Sequence, residues 1–123
     1  MVSGVKSFED LTVWQKSHEL VLKIYKLSSG FPIEERFGLT SQLRRAAASI
    51  PTNIAEGHGR QSRKDYIKFL FIAFGSLNET RYLIRLAKDL NFLTLEEFGM
   101  LVNGYDGVGK MLKGLINSLT PRT

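Results

Sequence analysis

The sequence predicts an all-α fold, an up-and-down antiparallel bundle of four helices. Three observations carry that expectation. Apolar residues recur at three- and four-residue spacing through four long segments, as amphipathic helices require. Glycine, proline and capping residues stand between those segments. No stretch sustains the period-two alternation of a strand. The chain has 123 residues. That length fits one domain, 1–123, with a core that needs neither disulfide nor metal.

The first helix is expected over about 10–28, with Asp10 as its N-cap. Val13, Trp14, Ser17, Leu20, Val21, Ile24, Tyr25 and Leu27 share one broad face. Ser28-Ser29-Gly30-Phe31-Pro32 stops it, because glycine and then proline cannot continue a helix. The second helix is expected over about 34–56, starting at Glu34 or Leu39 and stopped by Gly57 and Gly59. Leu39, Leu43, Ala46, Ala47, Ile50 and Ile54 form its apolar stripe. Pro51 lies in its interior, where a missing N–H and a ring clash predict a kink near Ala47–Pro51.

The third helix, about 62–90, opens on Ser62-Arg63-Lys64-Asp65, which resembles a capping box with Asp in place of Glu. Tyr66, Phe69, Leu70, Ala73, Leu77, Thr80, Ile84 and Ala87 keep core spacing. The fourth, about 94–118, opens on the capping box Thr94-Leu95-Glu96-Glu97 and ends before Pro121. Leu95, Phe98, Leu101, Val102, Tyr105, Leu112, Leu115, Ile116 and Leu119 form its apolar face. It also holds Gly99, Gly104, Gly107, Gly109 and Gly114. Each interior glycine costs about 0.5–1 kcal/mol relative to alanine, so tertiary packing must hold this helix. Gly109 alone falls on the apolar face, where it permits close helix approach. Short connections make sequence neighbours antiparallel.

The second helix carries an unusual polar stripe. Gln42, Arg45, Ser49, Asn53 and Glu56 lie beside the apolar stripe rather than opposite it. Groups at the edge of a core are partly desolvated and need partners. Glu79 lies in a comparable row on the third helix, with Ile72, Ser76 and Leu83. Arg45 is its expected partner, and Asn53 and Glu56 are expected to join Ser49 and Ser76 in one buried network. Paired carboxylates such as Glu56 and Glu79 can do acid–base work, but no other catalytic group accompanies them. A structural ion-pair network is the simpler reading.

The same segment carries a family resemblance. Gln42-Leu43-Arg44-Arg45-Ala46-Ala47, Ser49-Ile50, Asn53-Ile54-Ala55-Glu56-Gly57 and Gly59-Arg60 are similar to the signature of proteins encoded in intervening sequences of bacterial 23S ribosomal RNA genes. Phe8-Glu9-Asp10-Leu11-Thr12-Val13-Trp14-Gln15-Lys16, Phe31-Pro32, Glu35-Arg36-Phe37-Gly38-Leu39 and Ala73-Phe74-Gly75-Ser76-Leu77-Asn78-Glu79 fit as well. The resemblance spans roughly residues 8 to 119. It implies a four-helix bundle, assembly into a homopentamer, and association with RNA or the ribosome.

The third helix has more apolar surface than three neighbours can cover. Phe71 and Tyr82 point away from the core face, and Ile72 and Leu83 flank another side. A helix apolar nearly all round is covered on several sides, so these four residues are expected at a subunit interface. Loop coverage or scattered exposed aromatics are the alternative.

His58, Arg60, Arg63 and Lys64 cluster at the turn between the second and third helices. Arg63 and Lys64 sit in a first helical turn, where the helix dipole disfavours cations. Free backbone N–H groups beside them suit a phosphate or another anion; a solvated loop offset by Asp65 is the bland alternative. Arg81, Arg85 and Lys88 form a second basic patch, read as an ordinary wet face. Net charge is +5, which modestly favours anionic partners.

Composition narrows the function classes. There is no cysteine, so thiolate and disulfide chemistry is excluded. His18 and His58 are far apart in sequence, and no metal-ligand spacing is present. Gly57-His58-Gly59 follows no strand and lacks a P-loop lysine. Met1-Val2-Ser3-Gly4-Val5-Lys6-Ser7 has no apolar signal core, and no apolar run approaches the ~20 residues of a membrane span. The expectation is a cytoplasmic, non-catalytic, cofactor-free homo-oligomer that binds RNA or DNA through basic surface. A protein-interaction scaffold is the alternative. RNA contact is expected to be mainly to phosphate, since no base-stacking motif of the RRM type is present.

Overall fold

The computed structural model describes residues 6–121. Residues 1–5, read above for a signal core, lie outside it. Four helices account for most of the chain: α1 (Thr12–Ser28), α2 (Leu39–His58), α3 (Arg63–Asp89) and α4 (Leu95–Leu119). Short 3-10 turns precede α1 at Phe8–Asp10 and α2 at Ile33–Glu35. Each helix packs on its sequence neighbour, and α4 closes on α1. That is the contact pattern of an up-and-down four-helix bundle. Among the described residues no helix is long and apolar enough to cross a membrane.

The helices bury the stripes that periodicity marks. Leu39, Leu43, Ala46, Ala47, Ile50 and Ile54 of α2 are all buried, as are Leu70, Ala73, Leu77, Thr80, Ile84 and Ala87 of α3. One continuous apolar cluster joins them to Val13, Leu20 and Ile24 of α1 and to Leu101, Tyr105, Val108 and Leu112 of α4. α2 continues through Pro51 as one helix.

Local signals set most ends. Thr94 and Glu97 form the reciprocal capping box. Ser62 Oγ accepts the Asp65 N–H at 3.0 Å. α3 stops at an unforeseen motif in which Asn91 adopts φ 66°. Phe92 N–H then reaches Ala87 O at 2.8 Å and Asn91 N–H reaches Lys88 O at 3.0 Å. This is the Schellman arrangement, with asparagine in the left-handed position usually held by glycine.

One helix start differs from expectation. Asp10 does not cap α1. Its carboxylate turns back to accept N–H groups of Lys6 and Ser7 at 2.8 and 3.3 Å, closing the 3-10 turn, and α1 starts from Leu11 without a side-chain cap. Of the two starts expected for α2, Glu34 and Leu39, the structure takes Leu39, and residues 33–35 form a separate turn. Arg44 fastens the far end of α1: its Nε donates to Ser28 Oγ at 2.8 Å and its guanidinium lies 4.6 Å from the Tyr25 ring centre. A cation is favoured at a helix C-terminus.

Close approaches fall elsewhere than expected. Gly109 is not alone on the inner side of α4. A Cβ on Gly104 would stand 2.7 Å from Leu20 Cδ2. On Gly57 a Cβ would stand 2.9 Å from Phe69 Cβ and 3.0 Å from Tyr66 Cδ1, so Gly57 permits the contact between α2 and α3. Gly99, Gly107 and Gly114 meet nothing within 4 Å.

Chemical denaturation separates these glycines. Alanine at Gly99, Gly107 or Gly114 is expected to stabilise the fold by about 0.4–1 kcal/mol each, whereas Gly57→Ala destabilises it by about 1–3 kcal/mol through overpacking. A second test concerns Tyr105, which is fully buried and whose hydroxyl meets no protein hydrogen-bond partner. Burial pushes its ionisation well above the ordinary tyrosine range. The unfolded chain ionises it near pH ~10 while the folded chain does not, so its contribution to stability is full below that pH and is lost as pH rises above it. Tyr105→Phe is expected to change stability at neutral pH by less than about 0.5 kcal/mol or to raise it, and to flatten the alkaline decline in urea unfolding midpoints.

Candidate nucleic-acid interface

The α2–α3 turn holds the basic cluster in unequal roles. Gly59 N–H closes α2 on Ala55 O at 3.2 Å, and Arg60 N–H bonds Gly57 O at 3.0 Å. His58 is half-buried, edge-on to Tyr66 with ring centres 5.9 Å apart. Burial raises the Tyr66 hydroxyl above its ordinary ionisation. Arg60 lies over the Phe69 ring, 4.6 Å from its centre, and donates to Glu56 at 3.3 Å. Such an exposed pair is weak and uses few of the guanidinium N–H donors. Arg63 and Lys64 are exposed and make no ion pair among the described residues.

The expected network of Arg45, Ser49, Asn53, Glu56 and Glu79 forms only in part. Ser49 and Ser76 hydroxyls bond at 2.8 Å across α2 and α3. Asn53 Nδ2 donates to Ser49 O at 2.8 Å and to Ser49 Oγ at 2.9 Å, and Thr80 donates to Ser76 O at 2.8 Å. Arg45 and Glu79 are both exposed within the chain and are not paired. Glu56 turns to Arg60 instead. The short hydroxyl groups fit the narrow line between helices, whereas the long charged groups stay in water, where a charge is cheapest.

On α3, Phe71, Ile72 and Tyr82 are 59%, 43% and 61% exposed. Leu83 differs: it is 2% exposed and belongs to the core of the chain. It lies three residues after Thr80 and four before Ala87, both fully buried, which puts it at the rim of the core stripe. The second basic patch is largely neutralised. Arg81 pairs with Asp106 of α4 at 3.0 Å, and Arg85 and Lys88 pair with Asp89 at 3.1 and 3.4 Å. The hydrogen bond from Arg85 holds the Asp89 carboxyl below its usual range.

A feature that periodicity did not reveal lies beside the turn. A groove of about 760 Å³ opens between α1 and α2. Val21, Ala48, Pro51 and Ala55 line it, and Glu56, Gly59 and Arg60 stand at the end beside the α2–α3 turn. Trp14 and His18 form a wall, with ring centres 5.0 Å apart and planes at 14°. Phe8 meets Trp14 edge-on at 5.1 Å. The four-residue spacing of Trp14 and His18 is the signal the sequence holds, because such pairs share a helix face. Nothing in the sequence sets that pair beside Arg60. Among the described residues no group of three or more His, Cys, Asp or Glu is placed to hold a metal ion.

The fold defines an all-α four-helix-bundle protein. The family model of the 23S rRNA-intervening sequence protein matches residues 9–114, and the chain belongs to that family. A solved structure of a protein of unknown function from the S23 ribosomal protein family of Bacteroides thetaiotaomicron is 31% identical, with a TM-score of 0.79. The match covers 85% of this chain and 98% of that one. No curated protein matches.

Exposure makes Glu79 a probe of association. At dilutions where chains are separate, Glu79→Ala is expected to move the unfolding free energy by less than about 0.5 kcal/mol. A larger loss confined to concentrations where chains associate assigns Glu79 to the interface between copies. Ser76→Ala is expected to cost about 0.5–1.5 kcal/mol at any concentration, since its bond to Ser49 lies within the chain.

Proposed function

We propose that this chain is a non-catalytic cytoplasmic protein that assembles into a homopentamer and binds RNA through the turn between α2 and α3. One observation carries the binding reading: Arg63 and Lys64 stand exposed in the first turn of α3, against the helix dipole and next to Arg60, with no ion pair among the described residues. A local preference broken without internal compensation marks function. Asp65 is the only carboxylate in that turn, and no ion pair joins it to either cation. Phosphate supplies the missing negative charge. The family name and the ribosomal label on the Bacteroides protein support RNA as the polyanion. His58, turned toward Tyr66, lies beside the contact rather than at its centre.

Self-association is supported by the exposed apolar side chains of Phe71, Ile72 and Tyr82, and by the opposite charges of Arg45 and Glu79, neither of which forms an ion pair among the described residues. Repetition around a ring multiplies weak contacts. A protein-interaction scaffold is the second reading. It is favoured by the neutralised patch at Arg81, Arg85 and Lys88, whose cations are already matched by Asp106 and Asp89.

Light scattering at micromolar concentration is expected to give five times 13.9 kDa; a strictly monomeric mass defeats the assembly. Fluorescence anisotropy with RNA is expected to show affinity falling steeply with salt. Changing Arg60, Arg63 and Lys64 together to Gln weakens binding to all sequences and lowers the salt slope by roughly 0.7–0.9 for each phosphate left without its cation. Fold and mass stay unchanged. The scaffold reading requires no binding above the non-specific level and no effect of the triple substitution.

A further inference from the structure

The groove between α1 and α2 runs into the basic turn at Gly59 and Arg60. Its chemistry changes along its course: aromatic and apolar for most of its length, with the Arg60–Glu56 pair at its mouth. We propose that the groove takes an unpaired nucleobase while Arg60 holds the adjoining phosphate, so that the RNA bound here is single-stranded or carries an extruded base. This rests on the RNA reading and names its substrate class.

The dimensions fit. A groove of about 760 Å³ lies within the ~300–1,000 Å³ of small-molecule sites. Trp14 and His18 stack nearly parallel, and His18 is exposed. A base placed on the outer face of the exposed His18 ring extends that stack, a gain that any base can supply. Ala48, Pro51 and Ala55 carry little side chain, which leaves room for a flat ring above α2. Glu56 lies 3.3 Å from Arg60 and offers acceptor oxygens to an exocyclic amino group. The remaining Arg60 donors face phosphate, and the chain leads directly to Arg63 and Lys64. A regular duplex keeps its bases within the stack and offers mainly backbone and groove shape. It can meet the turn but cannot fill the groove.

Trp14 is the only tryptophan of the chain, so its emission reports on the groove. The probes are a short single-stranded oligoadenylate, the same backbone without bases, and an RNA duplex. The single strand is expected to change Trp14 emission saturably and to bind about fivefold or more tightly than the abasic strand. His18→Ala, at an exposed position, removes part of the wall. Ala55→Leu fills the groove without altering charge. Each is expected to weaken single-strand binding about fivefold and to leave duplex binding unchanged, with circular dichroism confirming the fold. Equal affinity for all three probes with constant Trp14 emission overturns the groove assignment and leaves RNA binding at the turn intact. No binding of any probe at physiological salt overturns both. A Trp14 signal that changes with protein concentration alone gives the groove to a second copy and overturns the inference.

Discussion

The close approach of α2 and α3 is the constraint from which the other surfaces follow. Small residues make it possible: Ala46, Ala47 and Ala73 are buried, and Gly57 lets α2 pass where a Cβ would strike Phe69 and Tyr66. At that separation only short polar groups fit between the helices. The Ser49–Ser76 hydroxyl bond fills the space and pins the register of one helix on the other. Long charged side chains on the same rows, Arg45 and Glu79, are pushed to the flank. Register also decides the turn. With Gly57 seated on Tyr66 and Phe69, the end of α2 lies over the start of α3, and Arg60 rests on the Phe69 ring.

α4 shows what packing can hold against local preference. It carries five glycines and a fully buried tyrosine hydroxyl with no hydrogen-bond partner among the described residues, and the Tyr105 backbone carbonyl accepts from the Arg81 guanidinium at 3.4 Å. Gly104 and Gly109 return something for their helix cost, because they admit Leu20 from α1 and Leu77 and Arg81 from α3. The Arg81–Asp106 pair then ties α3 to α4 in partly exposed surroundings, where such pairs contribute little stability but fix orientation. The solvent-facing glycines have no comparable role.

Helix positions and core stripes are readable from the sequence because each depends on one local variable, the angular spacing of apolar residues. Caps at Ser62 and Thr94 are readable for the same reason, since donor and acceptor are three residues apart. Errors arise where a choice between partners is tertiary. Asp10 has two sets of N–H groups within reach and takes the upstream set. Leu83 lies where a helical wheel cannot separate core rim from outer face. Arg45 and Glu79 match by row, but row does not measure the gap between helices. The groove is hidden altogether: its aromatic wall and its cation come from opposite ends of two antiparallel helices.

That antiparallel geometry bears on how assembly and binding coexist. The exposed apolar residues Phe71, Ile72 and Tyr82 belong to α3, whereas the groove lies between α1 and α2. In an up-and-down bundle each helix touches only its two neighbours, so α1 and α3 occupy opposite corners. Surface buried through α3 therefore does not require covering α1. A ring built on the α3 face leaves one groove and one basic turn per subunit. Each site alone offers a single stack and a few phosphate contacts, which is weak. A flexible strand is the ligand best able to use several such sites, because it can bend from one turn to the next and each added contact is intramolecular. Stiff duplex satisfies that condition only if the spacing of the turns matches its own curvature. On the proposed binding and assembly, a single strand is favoured twice, once through the shape of the groove and once through the repetition of the site.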